Sequence, residues 1–188
     1  DFKEIKFLEN LNFFNKRKLI LDVGANDGMS YNIIRKFSKK TKIISFEPNS
    51  YNFEIIKQFE KKDNLFECKK IALSNKNQTK IFFTPYFKNF AITQMAGLSR
   101  NGVKKRLEQS LYIEGLFNKI YLKREKIKTI KLDNLNLKPG FIKIDIEGHE
   151  FECILGSLKT IIKNKPIIMV EYDNKVCKKI FLLLKKYN

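Results

Sequence analysis

The sequence predicts an α/β domain built on a doubly wound, mostly parallel Rossmann-like sheet flanked by helices. Three observations carry that expectation. Short continuous runs of Ile, Val and Phe alternate with segments of helical apolar period, as expected for parallel strands buried on both faces. The first run leads into a turn bracketed by two glycines, "DVGANDG". Four runs close on a carboxylate, Asp22, Glu47, Asp145 and Glu171, and ligands in such sheets sit at the carboxyl ends of the strands.

Residues 1–18 read as a helical lead-in, with apolar residues at helical spacing over 2–14, followed by a strand at 19–23. Residues 30–38 form the next helix, with Ile33, Ile34 and Phe37 on one face. The run "KIISF" at 42–46 is a strand that stops at Glu47-Pro48, because proline cannot donate to a ladder. A helix at 52–61 carries the stripe Phe53, Ile56 and Phe59. A third strand covers 65–72, polar turn residues 74–78, and a further strand 80–84. Residues 85–126 read as an irregular insertion containing a short helix at 103–111, and are assigned to the acceptor side. Regular alternation resumes with strands at 127–132 and 141–146, a helix at 150–163, a strand at 166–171 and a helix at 175–186.

A chain of 188 residues is most simply a single domain, able to bury roughly 70% of its unfolded surface. Its hydrophobic content of 43%, with 17 Phe, excludes a disordered chain. No apolar run approaches the ~20 residues that span a bilayer, and no basic-then-apolar leader is present. Cys68, Cys153 and Cys177 are odd in number and never closely paired, which argues against a disulfide framework or a zinc site. Each is expected to be a small buried hydrophobe in a reducing, cytoplasmic setting.

The net charge of +18 raises nucleic acid as a partner. Only five of the 38 basic residues are Arg, which bidentate phosphate and guanine recognition prefers. The lysines are scattered in pairs such as Lys39-Lys40 and Lys178-Lys179, so a solvated surface is the favoured reading. A lysine-rich nucleic-acid-binding domain stays as an alternative.

The glycine turn narrows the ligand. Gly24 and Gly28 permit positive φ and close backbone approach, and Asn26 between them tolerates the left-handed region. The third glycine of a dinucleotide fingerprint is missing, and Asp22 and Asp27 place negative charge at the mouth. Pyrophosphate is repelled there, while an ammonium or sulfonium group is attracted. Glu47, nineteen residues beyond Gly28, stands where an acidic residue accepts the hydroxyls of an adenosine ribose. S-adenosylmethionine is the candidate ligand; an NAD-dependent oxidoreductase or epimerase on the same fold is the alternative.

The motifs "LDVGANDGMSYNII", "SFEPN", "IALSN", "TIKLDNL", "FIKIDIEGHEFECILGS" and "PIIMVEYD" follow one another between about residues 19 and 173. In that order the chain resembles the FkbM-type methyltransferases, a group of class I, S-adenosylmethionine-dependent enzymes, many acting on hydroxyls of sugars or of sugar- and polyketide-derived products. The resemblance implies methylation of a hydroxyl on a sugar, glycan or small secondary metabolite. It also implies that Asp22, Gly24, Asn26 and Gly28 surround the methionine part of the cofactor. Glu47 would take the ribose, Ile71 and Ala72 would flank the adenine, and Asp145 would sit beside the transferable methyl. Class I methyltransferases usually add a strand pair after the helix that ends here, so the fold is expected to be truncated after the fifth strand's helix. Segment 85–126 matches no pattern of the family, and the acceptor does not carry over.

A hydroxyl acceptor benefits from a general base. "DIEGHE" offers Asp145, Glu147, His149 and Glu150, and His149 is the chain's only histidine, with an ordinary pKa suited to a base near neutrality. Asp145 is the rival base, and Glu171 would orient an acceptor. Asp145, Glu147 and His149 alternate, yet Gly148 is expected to break the strand, and one His with carboxylates is a weak metal signal. No metal is expected.

Overall fold

The computed structural model describes residues 19–110 and 119–187. The expected lead-in helix lies outside these residues. Strands β1 (Leu19–Val23), β2 (Lys42–Phe46), β3 (Phe66–Lys69), β8 (Phe141–Ile144) and β9 (Ile167–Val170) form one parallel sheet, in the order β3-β2-β1-β8-β9. Helices α1 (Met29–Phe37) and α2 (Ser50–Lys57) follow β1 and β2, and the latter runs on as a 3-10 turn, Gln58–Lys61. This is the doubly wound α/β fold that the apolar runs predict.

Burial on both faces explains those runs. Leu19, Leu21 and Val23 join Ile44, Phe46, Ile142 and Ile144 in one apolar cluster, while Ile20, Ile43 and Phe141 face the other with Tyr31, Ile34 and Ile56 from α1 and α2. Alternate residues of one strand thus enter different cores, and neither face tolerates a polar stripe.

Three boundaries differ from the sequence expectation. The third strand is divided: β3 ends at Lys69, and the chain crosses to a second sheet as β4 (Ala72–Leu73). Segment 85–126 is largely regular. Strand β5 (Gln78–Phe87) pairs antiparallel with β7 (Ile120–Ile130) along ten residue pairs, Gln78↔Thr129 to Phe87↔Ile120, in a four-stranded sheet of order β4-β7-β5-β6, β6 being Phe90–Ala91. Helix α3 (Arg100–Ser110) buries Val103 and Leu107. The expected helix at 150–163 is two helices, α4 (Glu150–Leu155) and α5 (Leu158–Asn164). Gly156 lies between them against the backbone of Ser74, where a β-carbon would meet the carbonyl oxygen at 1.9 Å. Asp133 accepts the N–H groups of Lys159 and Thr160 at the new helix start.

The last helix, α6, spans Asn174–Leu184. No helix among the described residues is long and apolar enough to cross a membrane. Cys68 and Cys153 are buried free thiols, and burial pushes Cys153 up to about 12. Cys177 departs from expectation: it is only half-buried, with its Sγ 3.7 Å from the Glu171 carbonyl.

Candidate active site

The glycine turn closes over the ends of β1 and β2. The Gly24 and Ala25 N–H groups donate to the Phe46 carbonyl at 3.0 and 3.3 Å. Gly24 has φ +84°, and Asn26 adopts the left-handed region at φ 48°. That conformation aims the Asn26 N–H at Glu47, whose Oε2 accepts it at 2.8 Å; Oε1 accepts the Asn49 N–H at 2.8 Å. Asn49 in turn caps α2, its Oδ1 accepting from the N–H groups of Tyr51 and Asn52. One carboxylate therefore joins the loops that follow β1 and β2.

A cavity of about 170 Å³ opens beside this junction. Phe46, Ile71, Ala72, Leu73 and Phe82 give it apolar walls. Its acidic groups are Glu47, Asp145 and Glu147, and no lysine or arginine lines it among the described residues. The second sheet supplies one wall and is fastened there: Asn49 Nδ2 donates to Thr84 Oγ1 at 2.7 Å, and the hydroxyl and N–H of Ser50 both donate to the Glu125 carboxylate.

Gly24, Asn26, Glu47, Ile71, Ala72, Asp145 and His149 line the cavity, and Asp22, Gly28 and Glu171 do not. Asp22 is fully buried inside β1. Its Oδ2 accepts the hydroxyls of Ser30 and Ser45 at 2.7 and 3.1 Å, and its Oδ1 lies 3.6 Å from Lys143 Nζ. Gly28 begins α1 with φ +89°, and a β-carbon there would lie 2.3 Å from the Phe59 ring. It admits a close packing of helix on ring, at a distance from the cavity wall. Glu171 is exposed, yet its carboxylate groups with those of Asp145 and Glu147 within 4.8 Å.

Environment sets the protonation of these groups. Burial pushes Glu47 up to about 7, against the two N–H groups that favour its charged form. Glu171 is likewise pushed up to about 7, by partial desolvation first and then by the charges of Glu147 and Asp145. Desolvation also raises Glu147, with the Arg106 guanidinium opposing. Burial lowers His149, leaving a neutral imidazole at pH 7. Burial alone would lower Lys143 too, but the charges of Asp22 and Asp145 outweigh it and hold the ammonium.

Both nitrogens of His149 are engaged, Nε2 with the Ser74 hydroxyl at 2.9 Å and Nδ1 facing Glu152 at 3.6 Å. Glu150 folds back so that its Oε1 accepts the N–H groups of Ile146 and Gly148, which ties its carboxylate to its own loop. Asp145 keeps an exposed side chain at the cavity and takes Lys143 Nζ at 3.3 Å.

Two groups at the site, Lys143 and Arg106, escape the sequence reading. Lys143 had a signal, a lysine within the apolar run "FIKIDI", where a charge must find partners. Arg106 had none. From α3 it reaches the carbonyls of Met95, Ala96 and Glu147 at 3.1, 3.2 and 2.8 Å, tying two loops to the helix.

The sequence profile of the methyltransferase FkbM domain matches residues 22–188. The chain belongs to the FkbM methyltransferase family. In structure it is similar to the methyltransferase FkbM of Methylobacillus flagellatus KT, with a TM-score of 0.57 and 16% sequence identity. That similarity covers 90% of this chain and 36% of the other, so the FkbM domain described here spans about a third of the larger protein. At this identity the likeness speaks for the fold. A search of curated proteins finds no match. Within the FkbM domain, the profile begins at Asp22 and takes in the whole cavity.

Proposed function

We infer that the cavity holds S-adenosylmethionine and that the domain methylates a hydroxyl of a sugar, glycan or small secondary metabolite. The charge of the cavity carries this reading. In a chain of net charge +18, the pocket beside the glycine turn has three acidic groups and no basic one among its described lining residues. Such a site opposes phosphates and favours a ligand with a cationic centre. NAD would place its pyrophosphate against this acid. The lysines that suggest nucleic acid lie elsewhere.

The residues present fit the cofactor. Glu47 keeps lone pairs beyond the two N–H groups that fix it, so it can accept ribose hydroxyls, and Ile71 and Ala72 offer apolar surface for adenine. When bound, the cofactor supplies an electrophilic methyl group on sulfonium. The chain's residues then have to position a hydroxyl and remove its proton. Asp145 is the better placed of the candidate bases, because it lines the cavity with a side chain that stays 42% exposed, while Nε2 of His149 is turned to Ser74. Lys143 orients that carboxylate from below.

A thermal-shift panel tests the reading, with S-adenosylhomocysteine, NAD and single-stranded RNA at low and high salt. A shift with the first ligand that survives high salt is expected. A shift with NAD alone, or one with RNA that disappears in salt, overturns it.

A further inference from the structure

Asn52, in the first turn of α2, is 2% exposed and lines the cavity. Its amide is held from one side: Nδ2 donates to the Asn26 side-chain oxygen. Its Oδ1 is buried and has no hydrogen-bond partner among the described residues. The neighbouring N–H donors are already taken, since Asn49 Oδ1 accepts those of Tyr51 and Asn52. Reversing the Asn52 amide alone would set two carbonyl oxygens, those of Asn26 and Asn52, against each other, so the bond fixes Asn52 as donor to Asn26. A buried acceptor left in this way is rare in a folded protein and marks a place where a donor arrives from outside.

Asn26 shows which donor. Its N–H holds Glu47 and its side-chain oxygen holds Asn52, so both acceptors hang on one residue of the glycine turn. The wall they form presents two acceptors, the Glu47 carboxylate and the Asn52 side-chain oxygen, tied to the same residue. A vicinal diol matches it, with one hydroxyl for each acceptor. We propose that Asn52 is a positioning residue for the cofactor, its Oδ1 accepting one ribose hydroxyl while Glu47 accepts the other. The inference rests on the adenosine reading of the cavity and adds a selectivity: a nucleoside lacking either hydroxyl leaves a buried acceptor bare, and one carrying a 2′-phosphate brings a group without donors.

Calorimetric titration of wild type and Asn52→Ala with S-adenosylhomocysteine and its 2′-deoxy and 3′-deoxy analogues tests this. Asn52→Ala is expected to weaken S-adenosylhomocysteine about tenfold, and to weaken one of the two deoxy analogues by less than threefold, because that analogue no longer has the donor. Unchanged affinity for S-adenosylhomocysteine overturns the proposal. So does an equal loss with all three ligands, which places the donor on the adenine or the amino acid. Should Asn52→Ala not fold, wild type alone decides: removing either hydroxyl is expected to cost at least tenfold, and a loss under threefold for either one refutes two separate acceptors. Wild type that binds no S-adenosylhomocysteine rejects the cofactor reading itself, a result distinct from binding that ignores Asn52.

Discussion

Gly24 faces the backbone of Asp145 so closely that a β-carbon on it would lie 1.9 Å from the carbonyl oxygen. The glycine turn and the strand end bearing the candidate base are thus in contact through a missing side chain. Gly24→Ala adds a clash with backbone, which cannot swing aside, to a φ of +84° that L-residues avoid. The expected loss is about 2–4 kcal/mol of stability, read as a lower urea midpoint with an unchanged slope.

If Glu47 accepts the ribose, as proposed, cofactor affinity is expected to depend on pH. Its carboxyl is pushed up to about 7 in the free protein, whereas ribose hydroxyls need the charged, accepting form. Binding should release a proton, and affinity for S-adenosylhomocysteine should rise with pH, by up to tenfold per unit below 7, then level off. Calorimetry at pH 6 and 8 in buffers of different ionisation heat measures both. Glu47→Ala should weaken binding by about 1.5–3 kcal/mol and remove the slope.

The same group has the opposite effect on folding. Between its ordinary value of 4.5 and about 7, the folded protein keeps a proton that the unfolded chain releases. Its contribution to stability is therefore full at low pH and declines as pH rises through 7. The melting temperature of wild type minus that of Glu47→Gln should fall between pH 5 and pH 8.

Asp145 and His149 separate by readout. Asp145→Asn keeps the shape of the cavity and removes the base, so methylation at saturating cofactor should fall at least ~100-fold with cofactor affinity within threefold. His149→Ala breaks the bond to the buried Ser74 hydroxyl, and should lower the melting temperature by several degrees while the rate changes less than tenfold. The reverse pattern would make His149 the base.

Thr84→Val tests the fastening of the second sheet. It strands Nδ2 of Asn49 in a buried position, at an expected cost of about 1–3 kcal/mol. Because the N–H of Asn49 also holds Glu47, cofactor affinity should drop severalfold although Thr84 does not line the cavity.

The parallel sheet was legible because its strands are buried twice over, and "LILDV", "KIISF" and "FIKI" leave no polar face to confuse the period. The second sheet was not. Strand β7 reads "IYLKREKIKTI", with charges on its open face, and its partner β5 begins more than forty residues earlier. Pro85, expected to open the irregular insertion, sits inside β5: its carbonyl accepts the Ile92 N–H, so its own nitrogen turns toward the short edge strand β6, where a missing donor costs little. At the cavity, residue types at strand ends pointed to two of its lining carboxylates, Glu47 and Asp145. Whether a carboxylate faces ligand or protein depends on neighbours far along the chain, as Ser30, Ser45 and Lys143 decide for Asp22.

Asp22 and Lys143 are also register partners across β1 and β8. A slip of these two strands by one residue would set the two side chains on opposite faces of the sheet and part each charge from its counter-charge. The two central strands, otherwise interchangeable runs of branched aliphatics, are therefore keyed to a single alignment. That alignment delivers Gly24 to the carbonyl of Asp145, so a buried charge pair inside the sheet sets the distance between the glycine turn and the strand end that face the cavity.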